Sequence, residues 1–203
     1  MTKSGPDPTW HLLNEDRLRL LKPGSILIQS SRGAVVDNQA LLCLLREKFP
    51  LTTVLDVWEN EPVISCELLA RVDIATPHIA GYSWISKVRG TRMVYQAACS
   101  FLGHAPAWLP PGMPAGMEPP QFNLAGSHDP LFDAVMNVYS VMDDDHRLRQ
   151  LLALPDAQTG PYFDQLRKTY PVRLECSQTR LADFPETEQH LLKHLGFTLC
   201  TSS

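Results

Sequence analysis

The sequence predicts an α/β fold in which a short parallel sheet, packed with helices, precedes a second and smaller folded region. Three observations carry this. Helix-period and strand-like apolar runs alternate from residue 9 to about residue 58, and that order suits parallel strands joined by helices. Six prolines crowd into residues 106–120 and forbid regular structure there. Beyond about residue 122, helical periodicity resumes.

The elements follow in order. "TWHLLNEDRLRLLK" (9–22) places Leu12, Leu13, Leu18, Leu20 and Leu21 in a short helical pattern that Pro23 and Gly24 end. Ser25–Gln29 is an apolar β-type run. Asp37 is an N-cap candidate for "NQALLCLLREKF", with apolar residues at 40, 41, 44, 45 and 49, and Pro50 stops this helix. "TTVLDVW" is β-branched and apolar, hence a second strand. A helix is expected from Ile85 to Leu102, offering Val88, Met93, Val94, Phe101 and Leu102 for burial. "PLFDAVMNVYSVMDDDHRLRQLL" predicts a further helix with a break at its three aspartates, and "TEQHLLKHLGF" a last helix stopped by Gly196. The predicted organisation is 1–84, a connecting helix 85–104, a linker 105–121 and a terminal domain 122–203.

Composition narrows the function. At 203 residues and 44% hydrophobic residues the chain can bury a core. A net charge of −4 gives no basic field for nucleic acid or an anionic membrane surface. No run of about 18 apolar residues suggests a membrane span, and the polar, proline-broken start is unlike a signal peptide. The expected location is the cytoplasm. The five cysteines form no C-x-x-C pair and no cluster with histidines, so reduced thiols are expected and no metal site.

The chemistry concentrates after three strand-like runs. Arg32 follows the first, Glu61 lies five residues past Asp56 at the end of the second, and His78 sits in "TPHIAG"; the spacings are 29 and 17 residues. In a parallel sheet the carboxyl ends of neighbouring strands share one rim, so these residues can converge. Arginine grips a carboxylate through two parallel hydrogen bonds. Histidine can take and return a hydroxyl proton, and a neighbouring glutamate would orient its ring. Such a set suits oxidation of a hydroxy acid, with hydride passing to a cofactor because no side chain can carry it. Singly, each residue also has a bland reading: a surface ion pair, a solvated turn, a satisfied loop histidine.

"LKPGSILIQSSRGAVVDNQALL", "LDVWENEP" and "ATPHIAGYS" resemble consecutive signatures of the D-isomer-specific 2-hydroxyacid dehydrogenases, over about residues 9–103. The resemblance implies the C-terminal half of a Rossmann-type NAD-binding domain. It assigns Arg32 to substrate binding and catalysis, Glu61 as the partner of histidine, and His78 as the proton donor. Ser30, Ser31 and Arg32 would lie against NAD, Asp56 would reach the nicotinamide end, Gly81 would touch the cofactor through its backbone, and Tyr82 would contact substrate. "FDQLRKTYPVRLE" and "LLKHLGF" resemble the C-terminal α+β dimerisation domain of the family branch that oxidises a phosphorylated hydroxy acid in vitamin B6 synthesis. This implies a homodimer, with Arg167, Lys168 and Arg173 either reaching the substrate phosphate or serving as solvated faces. The alternatives are a family member acting on 3-phosphoglycerate or glyoxylate, and a non-catalytic dimerisation or NAD-sensing module.

One departure stands out. The 203 residues contain no G-x-G-x-x-G and no acidic residue about twenty positions after one, and the expected reading is the C-terminal part of a longer enzyme. "QSSRG" also departs from the asparagine and alanine more usual before the arginine.

Overall fold

The computed structural model describes residues 2–112 and 117–200. They form two compact units: the chain up to Ala80 with Val141–Tyr170, and Gly81–Ser140 with the chain from Pro171 onward.

The first unit is built on a parallel sheet of β1 (Ser25–Gln29), β2 (Leu51–Leu55) and β3 (Ile74–Ala75), in that spatial order. Ser25 pairs with Leu51 and Gln29 with Leu55, while Leu55 pairs with Ala75. All three strands therefore end at one rim. Helix α1 (Glu15–Arg19) is shorter than the sequence pattern suggested, because Asn14 caps it and accepts from the Arg17 amide. The preceding residues bond instead to the segment after β1, with His11 N donating to Ala34 O and Leu13 N to Val35 O. Helix α2 (Asn38–Arg46) starts where expected, the Asp37 carboxylate accepting from the amides of Gln39 and Ala40. Its Ala40, Leu41 and Leu44 are buried against the sheet's core. A short α3 (Cys66–Leu69), not anticipated, is capped by Ser65 and buries Leu68 and Leu69.

Ile26 and Ile28 on β1 are each 67% exposed. Leu51, Thr53 and Leu55 on β2 are buried, whereas Thr52 is exposed and Val54 only half-buried. Helices therefore cover one face of this sheet far better than the other.

Two helices join this unit from far along the chain. The expected break at the three aspartates falls instead at Tyr139 and Ser140: α5 (Pro130–Val138) ends there and α6 (Val141–Arg149) begins. The aspartates lie in the first two turns of α6, where carboxylates complement the helix dipole. Asp144 and Asp145 are buried. Asp145 accepts from the Ala75 amide at 2.8 Å and from Arg149 Nε at 2.8 Å, and Arg149 also donates to the carbonyls of Leu69 and Val72. Helix α7 (Asp156–Lys168) was hidden by the Gly160–Pro161 pair within it. A Cβ on Gly160 would lie 3.1 Å from the Val63 side chain, so glycine permits this close approach.

Leu148, Leu151 and Phe163 complete the core around the sheet. The unit thus cuts across the expected division at residues 84 and 122. Apolar periodicity marks a buried face but not the core that buries it. Phe163→Ala should therefore destabilise the first unit, by about 3–5 kcal/mol. Urea unfolding followed at amides of β1 and β2 checks this; an unchanged midpoint there would assign α7 elsewhere.

The second unit contains α4 (Trp84–Phe101), within a residue of its expected bounds, and a parallel sheet of β4 (Gln121–Asn123), β5 (Arg180–Ala182) and β6 (Thr198–Leu199). Met93, Val94, Phe101 and Leu102, expected to be buried, are instead exposed, and Cys99 is the buried residue of α4. Leu124, Ala134, Leu181, Leu192 and Phe197 form its core, with Leu192 on α8 (Gln189–His194). Burial alone would raise the Glu175 carboxyl, but hydrogen bonds from Ser83 and Ser86 hold it below the usual carboxylate range. The described part of the expected linker contains neither helix nor strand before β4; residues 113–116 lie outside the described residues. No helix among the described residues is long and apolar enough to cross a membrane.

Candidate active site

Each catalytic candidate in the first unit is held just beyond the carboxyl end of a strand. Beyond β1, the buried Gln29 side chain fixes the loop: its Nε2 donates to Arg32 O at 2.9 Å and its Oε1 accepts from Ser31 Oγ at 2.8 Å. Arg32 is extended and exposed, with Nη1 donating to Ser31 O. No carboxylate pairs with it among the described residues, so both edges of a carboxylate ligand could be met by this guanidinium. The next residue, Gly33, lies against the chain after β2. A Cβ there would stand 1.8 Å from Trp58 O and 2.1 Å from its carbonyl carbon.

Beyond β2, Asp56 is buried and organises the third strand's loop. Its backbone carbonyl accepts from the His78 amide at 2.7 Å. Its carboxylate accepts from Thr76 Oγ1 at 2.6 Å, Ile79 N at 2.7 Å and Ala80 N at 3.1 Å. The resemblance assigned Asp56 to the nicotinamide end; the structure commits three of its acceptor positions to the histidine loop. Further along, Glu61 Oε1 accepts from the Trp58 amide at 2.8 Å.

Beyond β3, His78 adopts a left-handed backbone, φ 56°, a conformation costly for a residue with a Cβ and concentrated at functional sites. Its Nδ1 lies 2.8 Å from Glu61 Oε2, with both side chains partly buried. A carboxylate there selects the Nδ1–H tautomer and leaves Nε2 to take up or release a proton.

Arg32, Glu61 and His78 line one cavity of about 280 Å³, together with Trp10, Trp58 and Glu59. The expected trio is thus brought together at the shared rim. Ser30 and Ser31 occupy the loop between Gln29 and Arg32 and are exposed. Gly81 and Tyr82 belong to the second unit, where the Lys87 ammonium lies 4.2 Å from the Tyr82 ring centre. The three basic tail residues are divided: Arg167 and Lys168 end α7 in the first unit, whereas Arg173 in the second stacks on Tyr139.

Residues 4–80 match the D-isomer specific 2-hydroxyacid dehydrogenase, NAD binding domain. This segment belongs to that family. Residues 117–196 match a domain described only as one of unknown function, DUF3410. Erythronate-4-phosphate dehydrogenase of Cellvibrio japonicus is 44% identical over 205 residues, covering 97% of this chain and 54% of that relative. The enzyme of that name from Edwardsiella ictaluri is 46% identical over 202 residues, covering 97% and 52%. The Escherichia coli O9:H4 enzyme is 44% identical over 201 residues, covering 96% and 51%. The chain spans about half the length of these curated relatives.

Sequence reasoning missed Gln29, Asn38, Glu59 and Trp10. Gln29 carried a usable signal, being a polar residue at the inward position of an otherwise apolar strand. Asn38 and Glu59 meet across 21 residues and left no local pattern, and Trp10, stacked on His11, lines the cavity.

Proposed function

We propose that this chain carries the catalytic half of an NAD-dependent dehydrogenase that oxidises 4-phospho-D-erythronate to 2-oxo-3-hydroxy-4-phosphobutanoate, a step toward pyridoxal phosphate, in the cytoplasm. The observation that carries the reading is the His78–Glu61 contact at 2.8 Å in a cavity shared with Arg32, which pairs with no carboxylate among the described residues. The substrate follows from relatives 44–46% identical that bear the erythronate-4-phosphate name.

In this reading Arg32 holds the substrate carboxylate through two hydrogen bonds and so fixes C2 in place. His78 Nε2 takes the C2 hydroxyl proton, while Glu61 keeps the ring oriented and stabilises the imidazolium that results. Asp56 keeps His78 in reach by ordering Thr76–Ala80. NAD, when bound, accepts the hydride released from C2. The residues present fit the reacting end of that cofactor: a cation and a proton acceptor open to one cavity. The backbone cradle for its pyrophosphate, a glycine-rich turn at a helix N-terminus, has no counterpart in the 203 residues. Ser30, Ser31 and the Gly81 backbone are further proposed cofactor contacts, and Tyr82 a substrate contact. The resemblance of the tail to a dimerisation domain supports pairing of two copies.

The 203-residue chain alone should therefore give no measurable NAD reduction. A chimera joining the first half of the Cellvibrio japonicus enzyme to this chain should reduce NAD with 4-phospho-D-erythronate, followed by NADH absorbance. A folded chimera without turnover would defeat the proposal, and equal rates with unphosphorylated erythronate would remove its substrate assignment.

A further inference from the structure

Beside the proposed catalytic trio lies a second cluster with no assigned role. His11 places its Nε2 2.7 Å from Glu59 Oε1 and its Nδ1 3.3 Å from Asp37 Oδ2. The ring stacks on Trp10, centroids 4.2 Å apart, and the backbone is left-handed with φ 47°. The three groups lie within 4.8 Å of one another. Nε2 is hydrogen-bonded to Glu59 and Nδ1 faces the Asp37 carboxylate, so His11 links the two carboxylate-bearing segments.

The bridge joins three of the four segments around the cavity, those of Trp10, of Arg32 and of Glu59. Glu59 is its hub: Oε1 meets His11, Oε2 accepts from the Asn38 amide at 2.9 Å, and the Glu59 amide donates to Asn38 Oδ1 at 3.1 Å. Asn38 Nδ2 in turn donates to Val36 O at 2.9 Å, in the segment that follows Arg32 and Gly33. Two residues after Glu59, Glu61 closes the turn through the Trp58 amide and presents its other oxygen to His78. Without a donor from His11, one oxygen of the partly buried Glu59 loses its partner, a costly state that the turn would relieve by moving.

We infer that His11 is a positioning residue, which acts through Glu59 to hold the Trp58–Glu61 turn and thereby the orientation of Glu61 toward His78. The functional weight of this inference rests on the proposed dehydrogenase reading, but its test requires no turnover. The test compares the 203-residue chain with His11→Leu, which keeps the bulk and removes both ring nitrogens, and His11→Gln, which restores a donor toward Glu59. Long-range proton–nitrogen NMR of the His78 ring, assigned with His78→Asn, reads the tautomer directly.

The expected result is a single Nδ1–H form of neutral His78 in the parent and in His11→Gln, and averaged ring-nitrogen shifts in His11→Leu. Leu51→Ala truncates the core at the opposite end of β2 and should leave the His78 tautomer unchanged. An unaltered tautomer in His11→Leu would overturn the inference, as would equal loss in His11→Leu and His11→Gln, which would make His11 a packing residue only. A parent chain lacking the Nδ1–H form would instead count against the His78–Glu61 pair and the catalytic reading itself.

Discussion

Gly33→Ala is expected to destabilise the first unit by about 3 kcal/mol or more and to displace Arg32 with it. The added methyl would stand 1.8 Å from Trp58 O, 2.1 Å from Trp58 C and 2.8 Å from Glu59 N. All three are backbone atoms, so no rotamer change can relieve the clash, and one of the two loops must shift. Those loops carry Arg32 on one side and Glu61 on the other, which couples stability to site geometry. Thermal unfolding measures the first effect, and amide shifts of Asn38 and Trp58 report the second. Gly90→Ala is the matched control: within α4 its Cβ meets nothing within 4 Å, and it should raise stability by about 0.5–1 kcal/mol. Equal melting temperatures for Gly33→Ala and the parent would mean that the loops do not approach each other this closely.

Arg32→Lys should separate activity from stability. The side chain is exposed and pairs with no carboxylate among the described residues, so unfolding should change by no more than about 0.5 kcal/mol. In the chimera, kcat/KM for 4-phospho-D-erythronate should fall by roughly a hundredfold, about 2.7 kcal/mol of transition-state stabilisation. A lysine ammonium keeps the charge and loses the planar two-bond grip proposed to hold C2 in register. A variant with undiminished kcat/KM would remove Arg32 from the substrate's carboxylate. A loss confined to KM would make it a binding group without influence on the reacting geometry.

The two experiments probe different kinds of information in the chain. Arg32, Glu61 and His78 were legible because each follows an apolar strand run, and parallel strands bring their carboxyl ends to one rim. The bounds of β1, the Asp37 cap of α2 and the extent of α4 were legible for a similar reason: caps, prolines and apolar periods act over a few residues. The Gly33 contact was not legible. Its reason is a carbonyl 25 positions away in sequence, and "RGA" looks like any loop.

By itself, then, the sequence determined the strand-and-helix alternation, the parallel sheet it implies and the three residues bound for one rim. Those properties are written in local chemistry. Only the tertiary structure decided that Val141–Tyr170 completes the first core. It also decided that Asp56 is committed to the histidine loop and that His11, Glu59 and Asn38 clasp three of the four segments around the cavity. A helix of suitable amphipathicity can bury its apolar stripe in either of two cores, and a carboxylate can accept from whichever amides arrive. Which partners arrive is a property of the whole packed chain, and no short stretch of residues encodes it.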